Sequence, residues 1–123
     1  MASQSLTLAD SLAANKTFTL RGNTIDAASY IDASSSLQQP VAIAISKKLL
    51  PPGAKGNDRH YFTFSKTKKD AVTGIYHTSS CKVELSVAKT DALTDADNQD
   101  IVAFARNYLT NARVLDALDG IIS

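Results

Sequence analysis

The side chains able to do covalent or acid–base chemistry are few. His60 and His77 are the two imidazoles, Cys81 is the single thiol, and Asp95, Asp97 and Asp100 form the densest acidic group. Each histidine sits beside a tyrosine in an extended stretch, with no acidic cluster near it in sequence to orient an imidazole as a base. Cys81 lies in an alternating run, on the side carrying Val83, Leu85 and Val87, where it reads as a small buried hydrophobe rather than a nucleophile. The three aspartates fall in the first turns of a helical pattern, and the positive end of a helix dipole accounts for them without a metal. Asp116 and Asp119, three apart on a second helix, read as solvent-facing. CxxC, HExxH, GxSxG and glycine-rich phosphate-loop motifs do not occur. The expectation is a protein that is not an enzyme and needs no cofactor or metal.

A different set of residues offers non-covalent chemistry. In the extended stretches Ser46, Lys48, Tyr61, Thr63, Ser65, Ser80 and Lys82 fall on one side if strict alternation holds. Hydroxyls, amines and an aromatic ring on a flat surface suit phosphates and unstacked bases. The alternative reading is a solvated sheet face, which any antiparallel sheet can present. Charge favours the first reading. From Lys47 to Lys89 nine basic residues stand against Asp58, Asp70 and Glu84, a balance of +6 in a chain of net charge +1. The remaining segments therefore carry −5, much of it in the C-terminal helices, so two surfaces of different character are expected.

These residues need a scaffold to position them. The stretch SSCKVELSVAK, Ser79 to Lys89, alternates with a period of two and predicts a long strand with one dry and one wet face. Before it come LTLA and TFTLR, joined by a polar DSLAANK as a hairpin, and then RGN at Arg21 to Asn23 as a turn or bulge. AASYIDAS is a weaker strand anchored by Tyr30. PVAIAISKK opens at Pro40 and ends at the Pro51, Pro52, Gly53 and Gly56 loop. Arg59 to Thr67 is extended, with Phe62 and Phe64 opposite Tyr61, Thr63 and Ser65, and KTKKDAVTG is a long polar connection. From Thr94, a helix N-cap, the period becomes helical: Ile101, Phe104, Ala105, Tyr108 and Leu109 form an apolar stripe. Thr110 and Asn111 interrupt it, and a shorter helix carries Val114, Leu115 and Leu118 up to Gly120.

The sum is an α+β chain with about five antiparallel strands and two C-terminal helices over one sheet face. At 123 residues, with 44% hydrophobic and 20% charged content, one globular domain spanning residues 1–123 is expected. No apolar run is long enough to cross a bilayer, and the first ten residues lack a secretory pattern. A lone cysteine fits a reducing compartment. Two short helices leave part of a wide apolar face uncovered, and the last strand is a candidate open edge. Both point to dimerisation.

The order of elements resembles the coat proteins of single-stranded RNA bacteriophages of the levivirus type. VELSVA at Val83 to Ala88 is similar to the family's long last strand, PVAIAISKK and DRHYFTFSK to the two strands before it, and FARNYLTNARVLDALDGI to its closing helices. The resemblance implies an N-terminal hairpin, a five-stranded sheet, two helices packed on one face, and interlocked dimers closing into an icosahedral shell around genomic RNA. It further implies a virion protein assembled in the cytoplasm of a bacterial host, and an inner sheet face that also binds an RNA hairpin as translational repressor. Carried over by position, Ala42, Ala44 and Ser46 face inward on the first RNA-contacting strand, and Tyr61, Thr63 and Ser65 on the middle one. Ser80 and Lys82 stand where the family has a stacking tyrosine and its polar neighbour. Alanines cannot hydrogen-bond a base edge and Ser80 cannot stack, so operator readout is expected to be altered, displaced or lost. Attraction to phosphates through Lys47, Lys48, Arg59, Lys66 and Lys82 is expected to persist. The competing reading is a non-viral dimeric RNA-binding module using the same face.

Overall fold

The computed structural model describes residues 4–120 as eight elements. They are β1 (Ser5–Ala9), β2 (Asn15–Asn23), β3 (Ala27–Asp32), β4 (Val41–Lys48), β5 (Asn57–Lys69), β6 (Tyr76–Ala88), α1 (Asp95–Tyr108) and α2 (Asn111–Leu118). The chain divides into two compact units, one ending at Ser86 and the other beginning at Val87.

In the first unit the strands form one sheet in simple sequence order, with β1 and β6 at its edges. It has six strands rather than five, because the N-terminal hairpin joins the sheet instead of standing apart from it. The reason lies in β2, which pairs with β1 on one side and β3 on the other. Its register with β3 shifts between Leu20 and Gly22, so the RGN segment is a bulge within a strand rather than a turn ending one. The β1–β2 turn is held by Asp10, whose carboxylate accepts from the amides of Leu12 (2.9 Å) and Ala14 (3.0 Å).

Cross-strand partners share a face, so the register sorts the side chains. Leu6 pairs with Phe18, Leu20 with Tyr30, Tyr30 with Ile43, and Ile43 with Phe64. These residues define the apolar face, and its centre is the core: Phe18, Tyr30 and Ile43 are the buried hydrophobics among the described residues. Tyr30 anchors its strand as the sequence indicates. Asp32 is buried on the same face opposite Phe18, its Oδ1 accepting from the Ser34 amide and hydroxyl, both at 2.9 Å. Away from the centre the face opens: Leu8, Phe64 and Val83 are about two-fifths exposed (41%, 38% and 40%).

Two expectations need correction. Cys81 is exposed, not buried, because β6 is an edge strand and most of its side chains are open within the single chain. The KTKKDAVTG connection is much shorter than its polarity suggests. β5 continues through Lys69, and the reversal is a tight turn in which Asp70 accepts from the amides of Val72 (2.8 Å) and Thr73 (3.2 Å). The Asp70 amide also bonds the Ile75 carbonyl at 2.8 Å, and Gly74 takes the positive φ of 74° that the turn requires.

In the second unit α1 starts with a capping box: Thr94 Oγ1 accepts from the Asp97 amide, and the Asp97 carboxylate accepts from the Thr94 amide at 2.9 Å. α1 ends at Leu109. Thr110 then caps α2 by accepting from the Arg113 amide, so the residue that breaks the apolar stripe is the one that starts the next helix. Gly120 follows α2 with a φ of 79°. Neither helix has a buried residue, and Phe104, Leu115 and Leu118 are 70%, 58% and 78% exposed.

Candidate nucleic-acid interface

The polar face of the sheet is built from the alternate residues of the same strands. Between β4 and β5 the register pairs Ala42 with Ser65, Ala44 with Thr63, Ser46 with Tyr61 and Lys48 with Arg59. All eight therefore lie on one face, away from the Ile43–Phe64 and Ile45–Phe62 pairs. A one-residue slip would have exchanged the two sets, and the burial of Ile43 fixes the register against it.

Three side-chain contacts bring β6 onto this face. Thr67 and Thr78 hydroxyls meet at 2.7 Å, Asn57 Nδ2 donates to Ser86 Oγ at 2.7 Å, and Arg59 Nη1 lies 3.4 Å from Glu84 Oε1. Each involves an odd-numbered residue of β5 and an even-numbered residue of β6. Alternation then sets Ser80 and Lys82 on the same side as Tyr61, Thr63 and Ser65, and Val83 and Leu85 on the side of Phe62 and Phe64. Ser80 and Lys82 are exposed. All ten residues read from the sequence as an RNA-binding set thus share one face.

Two of the lysines expected to attract phosphates do not lie there. Lys47 pairs with His60, and Lys66 with Val41, so both belong to the apolar face. Both are neighbours of the face in sequence, and alternation separates them from Lys48 and Ser65.

The structure adds residues that the sequence reading left out. Ser29 pairs with Ala44, Thr19 with Ile31, Ser5 with Thr19, and Thr7 with Thr17, so the polar face extends as a field of small hydroxyls across β1 to β3. The alternation in LTLA and TFTLR carried that signal. Tyr76 is a second aromatic side chain at the turn end of β6; it is half-exposed, and Lys69 Nζ lies 5.8 Å from its ring centroid. Its even number sets it on the polar face.

The histidines do not converge. His60 is half-buried on the apolar face opposite Lys47, where it lines an indentation of about 590 Å³ with Asp26, Ile45 and Phe62. His77 is exposed on β6. Among the described residues no cluster of three or more histidine, cysteine or carboxylate side chains has metal-site geometry, and no helix is long and apolar enough to cross a membrane.

Neither a family model nor a curated protein matches this chain. Solved structures do. The subunit of a virus-like particle of bacteriophage ESE020 superposes with a TM-score of 0.72 at 17% identity, over 99% of each chain. That of bacteriophage AVE019 gives 0.73 at 12% identity, over 100% of this chain and 98% of the other. Beihai levi-like virus 21 gives 0.73 at 10% identity over the same shares. The chain has the fold of these particle subunits, one of them from a levi-like virus, and the resemblance read from the sequence holds at the level of the fold.

Proposed function

We propose that this chain is a coat protein, a single structural domain that self-associates into interlocked dimers and then into an icosahedral virion shell around single-stranded RNA in a bacterial host. The observation that carries the reading is the match to particle subunits from several phages over nearly all of both chains, with no part of the fold left over. At such low identity, superposition over nearly the whole of both chains reflects one architecture rather than a borrowed segment.

The exposed apolar surfaces support self-association. A short amphipathic helix is marginal in water unless its apolar face is covered, yet α1 keeps Ile101, Phe104 and Tyr108 at 52%, 70% and 47% exposure. The apolar sheet face is open outside its centre, and β6 is an unpaired edge among the described strands. Pairing of β6 with a second copy, with helices laid across the partner's sheet, would cover all three.

RNA packaging follows from charge. Lys48 and Lys82 on the polar face neutralise phosphates without reading sequence, and Arg59 adds a third cation that is paired with Glu84. Base readout, as a translational repressor needs, falls on this face to Ser46, Thr63, Ser65 and Ser80, because positions 42 and 44 offer no hydrogen-bonding group. The function is structural rather than catalytic.

Size-exclusion chromatography with light scattering tests the proposal. Material eluting at particle size, dissociating to dimers under denaturing salt and reassembling with RNA, is expected. A dimer-sized peak under every salt and RNA condition would favour the non-viral RNA-binding module instead.

A further inference from the structure

Among the described residues the polar face carries one ion pair, and it engages one of the cations of the candidate RNA surface. Lys48 and Arg59 are direct cross-strand partners on β4 and β5, and like charges in that position repel. On the other side of Arg59, Glu84 of β6 reaches its guanidinium at 3.4 Å. Glu84 is the only acidic side chain between Lys47 and Lys89 that the alternation assigns to the strands of this face. A carboxylate among phosphate-binding cations is unfavourable for RNA unless it acts on one of those cations. The cation beside it is Arg59.

Building on the reading of this face as the RNA surface, we propose that Glu84 is a specificity-determining residue, which holds Arg59 neutralised and so limits how many phosphates the face engages. The consequence is discrimination. With Arg59 engaged, backbone attraction rests on Lys48 and Lys82, and the hydroxyls and Tyr61 between them contribute a larger share of the binding. With Glu84 removed, Arg59 becomes an additional phosphate ligand and the face grows indifferent to sequence. The pair is suited to this because both side chains are about half exposed, 54% for Arg59 and 47% for Glu84. An exposed pair of this kind contributes at most about 1 kcal/mol to stability, so its loss should alter binding without unfolding the sheet.

The test is a double-mutant cycle read as salt dependence. A fluorescein-labelled uridine 20-mer is titrated with full-length wild type, Glu84→Gln, Arg59→Gln, the double variant and Lys82→Ala, each at several salt concentrations. Each phosphate contact on single-stranded RNA adds about 0.7 to the slope of log K against log salt. Glu84→Gln is expected to steepen the slope by about 0.7 and tighten binding several-fold at low salt. Arg59→Gln should flatten the slope by about 0.7 in the Glu84→Gln background and by less than half of that in wild type. Equal flattening in both backgrounds would overturn the inference, because Arg59 would then already be engaging phosphate. If Lys82→Ala flattens the slope while the Glu84 and Arg59 variants leave it alone, the RNA face stands and the role of Glu84 falls. If no variant moves the slope, the RNA face itself is refuted, and Glu84 with it.

Discussion

Lys82 shows how much a single position on this surface can decide. It is exposed, on the hydroxyl-bearing side of the edge strand, two residues from the ion-paired Glu84. Replacing it with alanine removes one phosphate contact and leaves the apolar face untouched. Binding of single-stranded RNA should weaken and its salt slope flatten by about 0.7, with the elution volume of the protein unchanged. The turn aspartates make a separate prediction. The Asp70 carboxyl is held below its ordinary range by the Val72 and Thr73 amides, and that of Asp10 by the Ala14 and Leu12 amides. Asp32 is lowered in the same way by the Ser34 amide and hydroxyl. A carboxyl depressed by folding stabilises the protein fully above the unfolded value of about 3.9, and that contribution disappears as pH falls through the lower folded value. Thermal stability should therefore decline below about pH 4, and Asp70→Ala, less stable at neutral pH, should show a smaller acid decline.

At the scale of elements, most of the architecture is legible in the sequence because its determinants are local. The alternation in PVAIAISKK and VELSVAK, the Thr94 to Asp97 capping box and the Thr110 break each specify their element without distant partners. What was not legible depends on neighbours. The hairpin reads clearly as two strands, but its attachment to the sheet rests on the Arg21 bulge and on Leu20 meeting Tyr30, which are long-range pairings. Cys81 sits on the apolar side of a strand that also reads as an open edge, but alternation alone does not say that this side stays uncovered in a single chain. The candidate surface was legible at its ten positions for the reason the strands were. Register between strands is what joins the hydroxyls of β1 to β3 to it, whereas Tyr76 shares the even-numbered alternation of Ser80 and Lys82 and is legible in the same way. The core gives a sharp check. Ile43 is 2% exposed between Tyr30 and Phe64, and Ile43→Ala should cost about 2–5 kcal/mol in urea unfolding. Thr94→Ala removes the α1 cap and should cost about 0.5–2 kcal/mol, seen as reduced helicity by circular dichroism.

At the scale of the whole molecule, the apolar surface left open in one chain is the feature any account of function must explain. A second copy explains it most directly, and Leu85 tests the idea. It is half-buried on the apolar side of β6, where the proposed dimer would finish covering it. Leu85→Asp would bury an unpaired charge there, so soluble dimers should be lost. Normal dimers from that variant would mean that the two sides of the strand have been assigned the wrong way round. Negative-stain electron microscopy of the purified protein bears on the proposed function most directly. Closed, uniform shells containing RNA are predicted, and a field free of particles, with and without added RNA, would contradict the assignment as a coat protein.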